Sequence, residues 1–103
     1  MMDIRLNDEV KVYIKSLSSM SEKAQIAQYL DRQAELGYRL KEPVSKVLRD
    51  GINELRPGSH RLLFFYDQKE MVMIHPFRKK TRRTPDREID AAIRKRNTWR
   101  RYE

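Results

Sequence analysis

The residues with the clearest chemical potential form a run of cations. Arg78, Lys79, Lys80, Arg82 and Arg83 place five positive charges within six residues. Like charges at this density repel one another unless an anion neutralises them, and nucleic-acid phosphates are such an anion. The run therefore predicts a phosphate-binding segment rather than a merely solvated surface.

Further polar residues lie on predicted strands, where every second side chain points to the same face. Glu54 and Arg56 share one face of their strand, and Arg61 lies on the next strand along the chain. If helices cover one sheet face, these side chains can converge on the other as a cradle for single-stranded RNA. A plain ion pair between Glu54 and Arg56 is an equally good interpretation.

The third predicted strand adds His75 and Phe77, which alternation places on one face with Met71 and Met73. Phe77 offers a ring on which a base can stack. His75 is interpreted either as a proton-transfer group or as a hydrogen-bonded strand residue. The second interpretation is favoured, because no carboxylate lies near His75 in the sequence to orient its ring.

Composition supports a polyanionic partner. The chain has 103 residues, which suits a single domain over residues 1–103, and its net charge is +8. There is no cysteine and there are only two histidines, so disulfides are excluded and no metal or other cofactor is expected. No apolar run approaches the ~20 residues of a membrane span, and the N-terminus lacks the apolar region of a signal peptide. We therefore expect a cytoplasmic protein that does not bind membranes.

The residues by themselves leave catalysis open. The sequence contains no histidine pair, carboxylate dyad or metal-ligand cluster of the kind that free-standing nucleases use. Composition and spacing therefore predict a nucleic-acid-binding domain and do not decide whether it cleaves its ligand.

Periodicity predicts the elements that must position these residues. One helix follows Asn7 as N-cap, and a second runs from a capping box of Ser19 and Glu22 to Gly37. The expected apolar stripe of the second helix is Met20, Ala24, Ala27, Leu30 and Ala34, with Ile26 and Tyr29 beside it. The two helices should form an antiparallel hairpin, because only a short connection separates them.

A change of period after the linker at 38–51 predicts a meander of antiparallel strands. The strands are expected at 52–56, 60–66 and 71–77, and residues 1–6 are compatible with a short edge strand. A last, basic helix should begin after Thr84 as N-cap. The predicted fold class is α+β, with an N-terminal helical hairpin packed on a small curved antiparallel sheet and a C-terminal basic helix.

Four segments carry a family resemblance. They are Leu48–Arg56 (LRDGINELR), His60–Tyr66 (HRLLFFY), His75–Thr81 (HPFRKKT) and Thr84–Ile89 (TPDREI). Together they resemble the phage-derived branch of the RelE/HigB toxins, over about residues 8 to 100. Two features depart from the pattern: the first strand is short or absent, and His60 stands where the family often has Tyr.

The resemblance implies a type II toxin of RelE-like fold, encoded beside an antitoxin with a helix-turn-helix domain. Its implied activity is metal-independent cleavage of messenger RNA in the ribosomal 30S A site, which inhibits translation. The chemistry would be attack of a ribose 2′-hydroxyl on the adjacent phosphodiester, with the ribosome orienting the substrate.

The resemblance also assigns roles to residues. Arg61 and Lys79 would stabilise charge on the phosphorane, and Lys80 or His75 would move protons. Phe77 would stack on a base. The candidate catalytic residues are Arg61, Lys79, Lys80 and His75, and the candidate RNA-binding residues are Arg56, Phe77, Arg78, Arg82 and Arg83.

Two other functions remain open at this point. The first is a ParE-like toxin that shares the fold and inhibits DNA gyrase by binding, which would not need the residues from Arg61 to Lys80. The second is a non-catalytic nucleic-acid-binding module. Fold alone does not separate them; a helix-turn-helix protein encoded next door would favour either toxin over the module.

Overall fold

Helices cover both faces of a five-stranded sheet in the computed structural model, which describes residues 1–102. The elements are β1 (Asp3–Leu6), α1 (Asp8–Ser16), α2 (Met20–Leu36), β2 (Ser45–Val47), β3 (Asn53–Leu55), β4 (His60–Asp67), β5 (Glu70–Arg78) and α3 (Asp86–Tyr102). The strand order is β1-β5-β4-β3-β2. The predicted α+β class is confirmed. β1 pairs parallel to β5 while the other pairs are antiparallel, so the sheet is mixed.

The predicted N-caps of the first two helices are confirmed, but the returning bond of the capping box is not formed, because the Glu22 carboxylate contacts β4 instead. The Asn7 side chain accepts a hydrogen bond from Val10 N at 2.9 Å, and the Ser19 hydroxyl accepts one from Glu22 N at 3.2 Å. Gly37 ends α2 with φ 54°, a backbone conformation that favours glycine. Each cap satisfies backbone groups that the helix itself leaves unpaired.

The predicted apolar stripe of α2 is wrong for most of its members. Met20, Ala24 and Ala27 are exposed, and the sheet instead receives Ile26 with the neighbouring residues of that face. Large side chains bury more apolar area than alanines, so the orientation with Ile26 inward is the more stable one. Gln33 is also buried and donates to Gly37 O at 3.1 Å.

The two sheet faces carry separate cores. The core under α1 and α2 contains Val10, Ile26, Leu55, Leu62, Phe64, Met71 and Met73. The core under α3 contains Ile52, Leu63, Phe65, Val72, Ile74, Ile89 and Ala92. The face opposite the hairpin is therefore covered by α3 and is not an open cradle along the strands.

The predicted linker at 38–51 contains structure that the sequence did not indicate. Gly37–Arg39 forms one turn of 3₁₀ helix, and β2 pairs antiparallel with β3. β2 is a three-residue edge strand in which only Ser45 is buried, so it lacks the apolar alternation that marks a strand.

Candidate active site and nucleic-acid interface

A β-bulge in β5 decides which face carries the candidate residues. Met73 lies opposite Phe64 and His75 lies opposite Leu63, so Ile74 is an extra residue between them. An extra residue reverses the alternation beyond it. The prediction that His75 shares a face with Met73 is therefore wrong: Met73 packs under the hairpin, and His75 lies on the α3 side.

The bulge brings several predicted residues together on the α3 side. Arg61 is paired with Phe77, and Leu63 is paired with both Glu54 and His75 across its two neighbouring strands. The ring centroids of His75 and Phe77 are 5.8 Å apart. Glu54, Arg61, His75 and Phe77 thus occupy one patch of the sheet next to the first turn of α3.

Arg61 is a half-buried cation fixed by backbone carbonyls. Its Nη1 donates to Gly58 O at 2.7 Å and to His60 O at 2.8 Å. Burial lowers the pKa of Arg61 from its ordinary value, which the negative charge of Glu54 opposes. An arginine nevertheless keeps its proton in proteins, so Arg61 supplies a partly desolvated positive charge.

Glu54 is fully buried and forms the predicted ion pair with Arg56. Arg56 Nε donates to Glu54 Oε1 at 2.7 Å, and the Thr84 hydroxyl donates to Glu54 Oε2. Thr84, the predicted N-cap of α3, thus ties the start of that helix to β3. Arg56 also lies 3.7 Å from Glu42, so carboxylates balance its charge on two sides.

A carboxylate orients the ring of His75, although it comes from a residue that is distant in the sequence. Its Nε2 is 2.8 Å from Glu88 Oε1 and its Nδ1 is 2.6 Å from Lys95 Nζ. Lys95 Nζ in turn lies 2.5 Å from Glu9 Oε1. The His75 side chain is only 10% exposed, so the ring is held inside the protein between α3 and the sheet.

The segment after β5, residues 79–83, carries exposed positive charge and is called the cationic segment. Lys79, Lys80, Arg82 and Arg83 are exposed, and none forms an ion pair with any residue between 1 and 102. Lys79 N donates to Ser59 O at 2.7 Å, which extends the pairing of β4 and β5 by one step. These four cations are available to phosphates.

The guanidinium of Arg78 is held on a different side of the sheet from the other candidate residues. Its Nη1 donates to Ser59 Oγ at 3.0 Å, and its Nη2 lies 3.5 Å from Glu22 Oε1 of α2. The structure thus directs Arg78 to the hairpin side of the sheet, because it is one residue out of step with Phe77. Its charge is partly balanced by Glu22.

Arg78 belongs to a second polar cluster, which sequence reasoning missed. His60 is fully buried, with Nδ1 2.7 Å from the Tyr13 hydroxyl and Nε2 2.6 Å from Glu22 Oε1. The hydrogen bond to His60 lowers the pKa of Glu22, and burial raises the pKa of Tyr13. The cluster joins α1, α2, β4 and β5 at the end of the sheet where the cationic segment begins.

Two clefts flank the cationic segment. The first has a volume of about 420 Å³ and is lined by basic residues that include Lys46, Arg49, Arg56, Arg82 and Arg83. The second has a volume of about 290 Å³ and includes Phe77, Arg78, Lys80, Thr81, Arg87 and Glu88 in its lining. The arrangement offers phosphate contacts on both sides of the segment and an aromatic ring in the second cleft.

Among the predicted site residues, the structure groups Arg56, Arg61, His75 and Phe77 beside the exposed Lys79, Lys80, Arg82 and Arg83. Sequence reasoning missed Glu88 and Lys95, which lie seven residues apart and so share a face of α3. That spacing is visible in the sequence, but the partner of this face is not.

Neither a metal-ligand cluster nor a membrane-spanning helix occurs in the part of the chain that the structure describes. Among residues 1–102, no three His, Cys, Asp or Glu side chains come together in a way that would hold a metal ion. Within the same residues no helix is both long and apolar enough to cross a membrane.

Comparison with known proteins gives a family. No curated protein matches the chain. The family described as phage-derived protein Gp49-like (DUF891) matches residues 13–97, which include every residue of the patch and of the cationic segment. This family is RelE-like and toxin-like, which agrees with the resemblance in the sequence at family level. Because the match covers most of the chain, the protein belongs to the Gp49-like family of phage-derived proteins.

Proposed function

We propose that this protein is the toxin of a type II toxin–antitoxin pair and cleaves messenger RNA on the ribosome. The observation that carries the proposal is the position of the partly desolvated Arg61 beside Phe77. Next to it, four cations of the following segment have no ion-pair partner among residues 1–102. An RNA phosphate bound there would meet fixed positive charge, and a base would meet an aromatic ring.

The proposed roles follow from accessibility and charge. Arg61 and Lys79 stabilise negative charge on the phosphorane, and Phe77 stacks on a base. Lys80 moves a proton, while His75 acts through the groups bonded to its ring nitrogens because it is buried. Arg56, Arg82 and Arg83 line the first cleft, where they hold the RNA backbone.

The partners of this function are messenger RNA, the ribosomal 30S A site and a helix-turn-helix antitoxin. The ribosome supplies orientation that the protein lacks, since positioning of a substrate by a larger assembly lowers the entropic part of the barrier. The antitoxin neutralises the basic surface, so its binding should weaken as salt concentration rises. We place the activity in the cytoplasm, where translation occurs.

The test is induced expression in bacteria followed by primer extension on a translated message. Wild-type protein should give codon-phased cuts, and Arg61→Ala or Lys79→Ala should reduce them about 100-fold, the usual loss when a charge-stabilising donor is removed. Lys15→Ala, an exposed change on α1, is the matched control and should still cut. Thermal melting of each purified variant checks that it folds.

Two outcomes would contradict the proposal. Growth arrest with intact messages and trapped gyrase complexes would identify a gyrase inhibitor instead. RNA binding without cuts or growth arrest would identify a non-catalytic nucleic-acid-binding module.

A further inference from the structure

A continuous chain of four side chains connects three elements behind the proposed site. Glu9 of α1 contacts Lys95 of α3 at 2.5 Å, and Lys95 contacts His75 of β5 at 2.6 Å. His75 then contacts Glu88, in the first turn of α3, at 2.8 Å. This series of contacts therefore begins on the helical hairpin and ends in the first turn of α3, in the cleft that Lys80 also lines.

The donors in this chain fix the tautomer of His75. A lysine ammonium has only donors, so His75 Nδ1 must accept the hydrogen bond from Lys95 Nζ. The ring proton is then on Nε2, which donates to Glu88 Oε1. The Nε2 proton of His75 is thus directed at a carboxylate.

Glu88 is the member of the chain that reaches the surface at the site. It lines the 290 Å³ cleft together with Phe77 and Lys80. Its side chain is 22% exposed, against 10% for His75. Within residues 1–102 its second oxygen, Oε2, has no hydrogen-bond partner. A ligand in this cleft can touch Glu88 but meets His75 only through it.

We propose that Glu88 accepts the proton of the attacking ribose 2′-hydroxyl, and that His75 and Lys95 are positioning residues that aim its carboxylate. The proposal rests on the proposed ribonuclease function and names its proton acceptor. Oε1 is held by His75, which leaves Oε2 free to contact a substrate in the cleft. Proton transfer by a positioned group requires such hydrogen-bond reach to the proton it removes.

The step balances with groups of the same cleft. The 2′-oxygen forms a bond to phosphorus while the bond between phosphorus and the 5′-oxygen breaks. The 2′-hydroxyl proton passes to Glu88 Oε2, and the Lys80 ammonium gives a proton to the departing 5′-oxygen. The products are a 2′,3′-cyclic phosphate and a 5′-hydroxyl, and exchange with water restores both side chains.

The test measures single-turnover cleavage of a short message on purified ribosomes by the full chain. Glu88→Gln should slow cleavage about 100-fold or more, while its sedimentation with ribosomes stays unchanged. Glu88→Asp should restore part of the rate because it keeps a carboxylate. Asp31→Asn, the same kind of change at an exposed position on α2, should stay within about threefold of wild type.

The outcomes separate this proposal from the function on which it rests. If wild-type protein cuts no message, both fail. If wild-type protein cuts and Glu88→Gln cuts at a similar rate, the assignment of Glu88 is wrong and the ribonuclease function stands. If Glu88→Gln loses both ribosome binding and cleavage, the assignment is also overturned, since the residue would then act in binding.

The positioning role has its own spectroscopic readout. Long-range proton–nitrogen NMR should show His75 protonated at Nε2 and unprotonated at Nδ1 in the wild type. Lys95→Met should disturb that tautomer and slow cleavage about tenfold, whereas Lys95→Arg should preserve the Nε2 proton because it keeps a cationic donor. A wild-type ring protonated at Nδ1 would contradict the proposal.

Discussion

At the scale of single residues, the most constrained group is the buried carboxylate of Glu54. A carboxylate that is buried away from water is stable only when hydrogen bonds and a nearby cation compensate its negative charge. Arg56 and Thr84 supply that compensation from β3's own end and from the start of α3. Glu54 thus holds together the two segments that border the first cleft.

The first prediction is that Glu54→Gln lowers the free energy of unfolding by about 2 to 3 kcal/mol, because Arg56 is then without its close partner in a largely buried setting. Urea denaturation at neutral pH measures the change. Glu42→Gln is the matched control, since Glu42 is exposed and lies 3.7 Å from the same arginine. The control should cost less than about 0.5 kcal/mol.

A double-mutant cycle with Arg56→Gln tests the cause of that destabilisation. Residues in direct contact show coupling energies of about 0.5 to 3 kcal/mol. Additive effects of the two substitutions would show that Glu54 stabilises the fold by some route other than its pair with Arg56.

At the scale of elements, the Tyr13–His60–Glu22–Arg78 cluster is the junction between the helical hairpin and the sheet. His60 of β4 contacts Tyr13 of α1 and Glu22 of α2 at once. Arg78 adds the end of β5, from which the cationic segment starts. The ionisation of Glu22 therefore links the stability of the fold to pH.

The sign of this link follows from the lowered pKa of Glu22, whose ordinary value is 4.5. The folded state favours the ionised carboxylate of Glu22. The stabilisation is therefore present above about pH 4.5 and is lost as the pH falls through the pKa of Glu22 in the folded protein. We predict that Glu22→Gln is less stable than wild type at pH 7. The difference should shrink as the pH falls below about 4.5.

Urea denaturation of both proteins across this pH range is the measurement. Glu35→Gln, an exposed change on the same helix, is the control and should differ little from wild type at any pH. A Glu22→Gln deficit that stays constant down to acidic pH would show that charge on Glu22 is not its source.

At the scale of the whole molecule, the net charge of +8 is less informative than its distribution. Arg49, for example, is surrounded by Asp50, Asp86 and Asp90, and these carboxylates raise its pKa. The cations of the segment after β5 have no such partners among the described residues. Counterion release on RNA binding should therefore come mainly from that segment.

The corresponding prediction concerns salt. The measurement is the affinity for a single-stranded RNA oligonucleotide at several salt concentrations, plotted as log affinity against log salt. The double variant Arg82→Ala with Arg83→Ala should give a shallower slope than wild type. The slope should change by about 0.7 for each phosphate contact that is lost. Lys11→Ala with Lys15→Ala removes the same charge from exposed positions on α1 and should leave the slope unchanged. Equal effects of the two double variants would mean that net charge alone attracts the RNA.

Features that depend on residues close together in the sequence were predicted correctly. The caps at Asn7, Ser19 and Gly37, the α+β order and the cationic segment depend on neighbours within a few residues, so the sequence by itself determined them. The edge strand β2 and the buried face of α2 were not predicted, because pairing and burial against distant residues decide them.

The candidate site was determined only in part. Its residue types came from the sequence, but the bulge at Ile74 decided that His75 and Phe77 join Arg61 on the side of α3. The packing of α3 on that face then placed Glu88 and Lys95 against the two nitrogens of His75. Spacing along one chain does not encode such contacts, since they depend on how separate elements pack. The sequence supplied the charges, and the tertiary structure decided which of them are neutralised and which stay exposed without an ion-pair partner among the described residues.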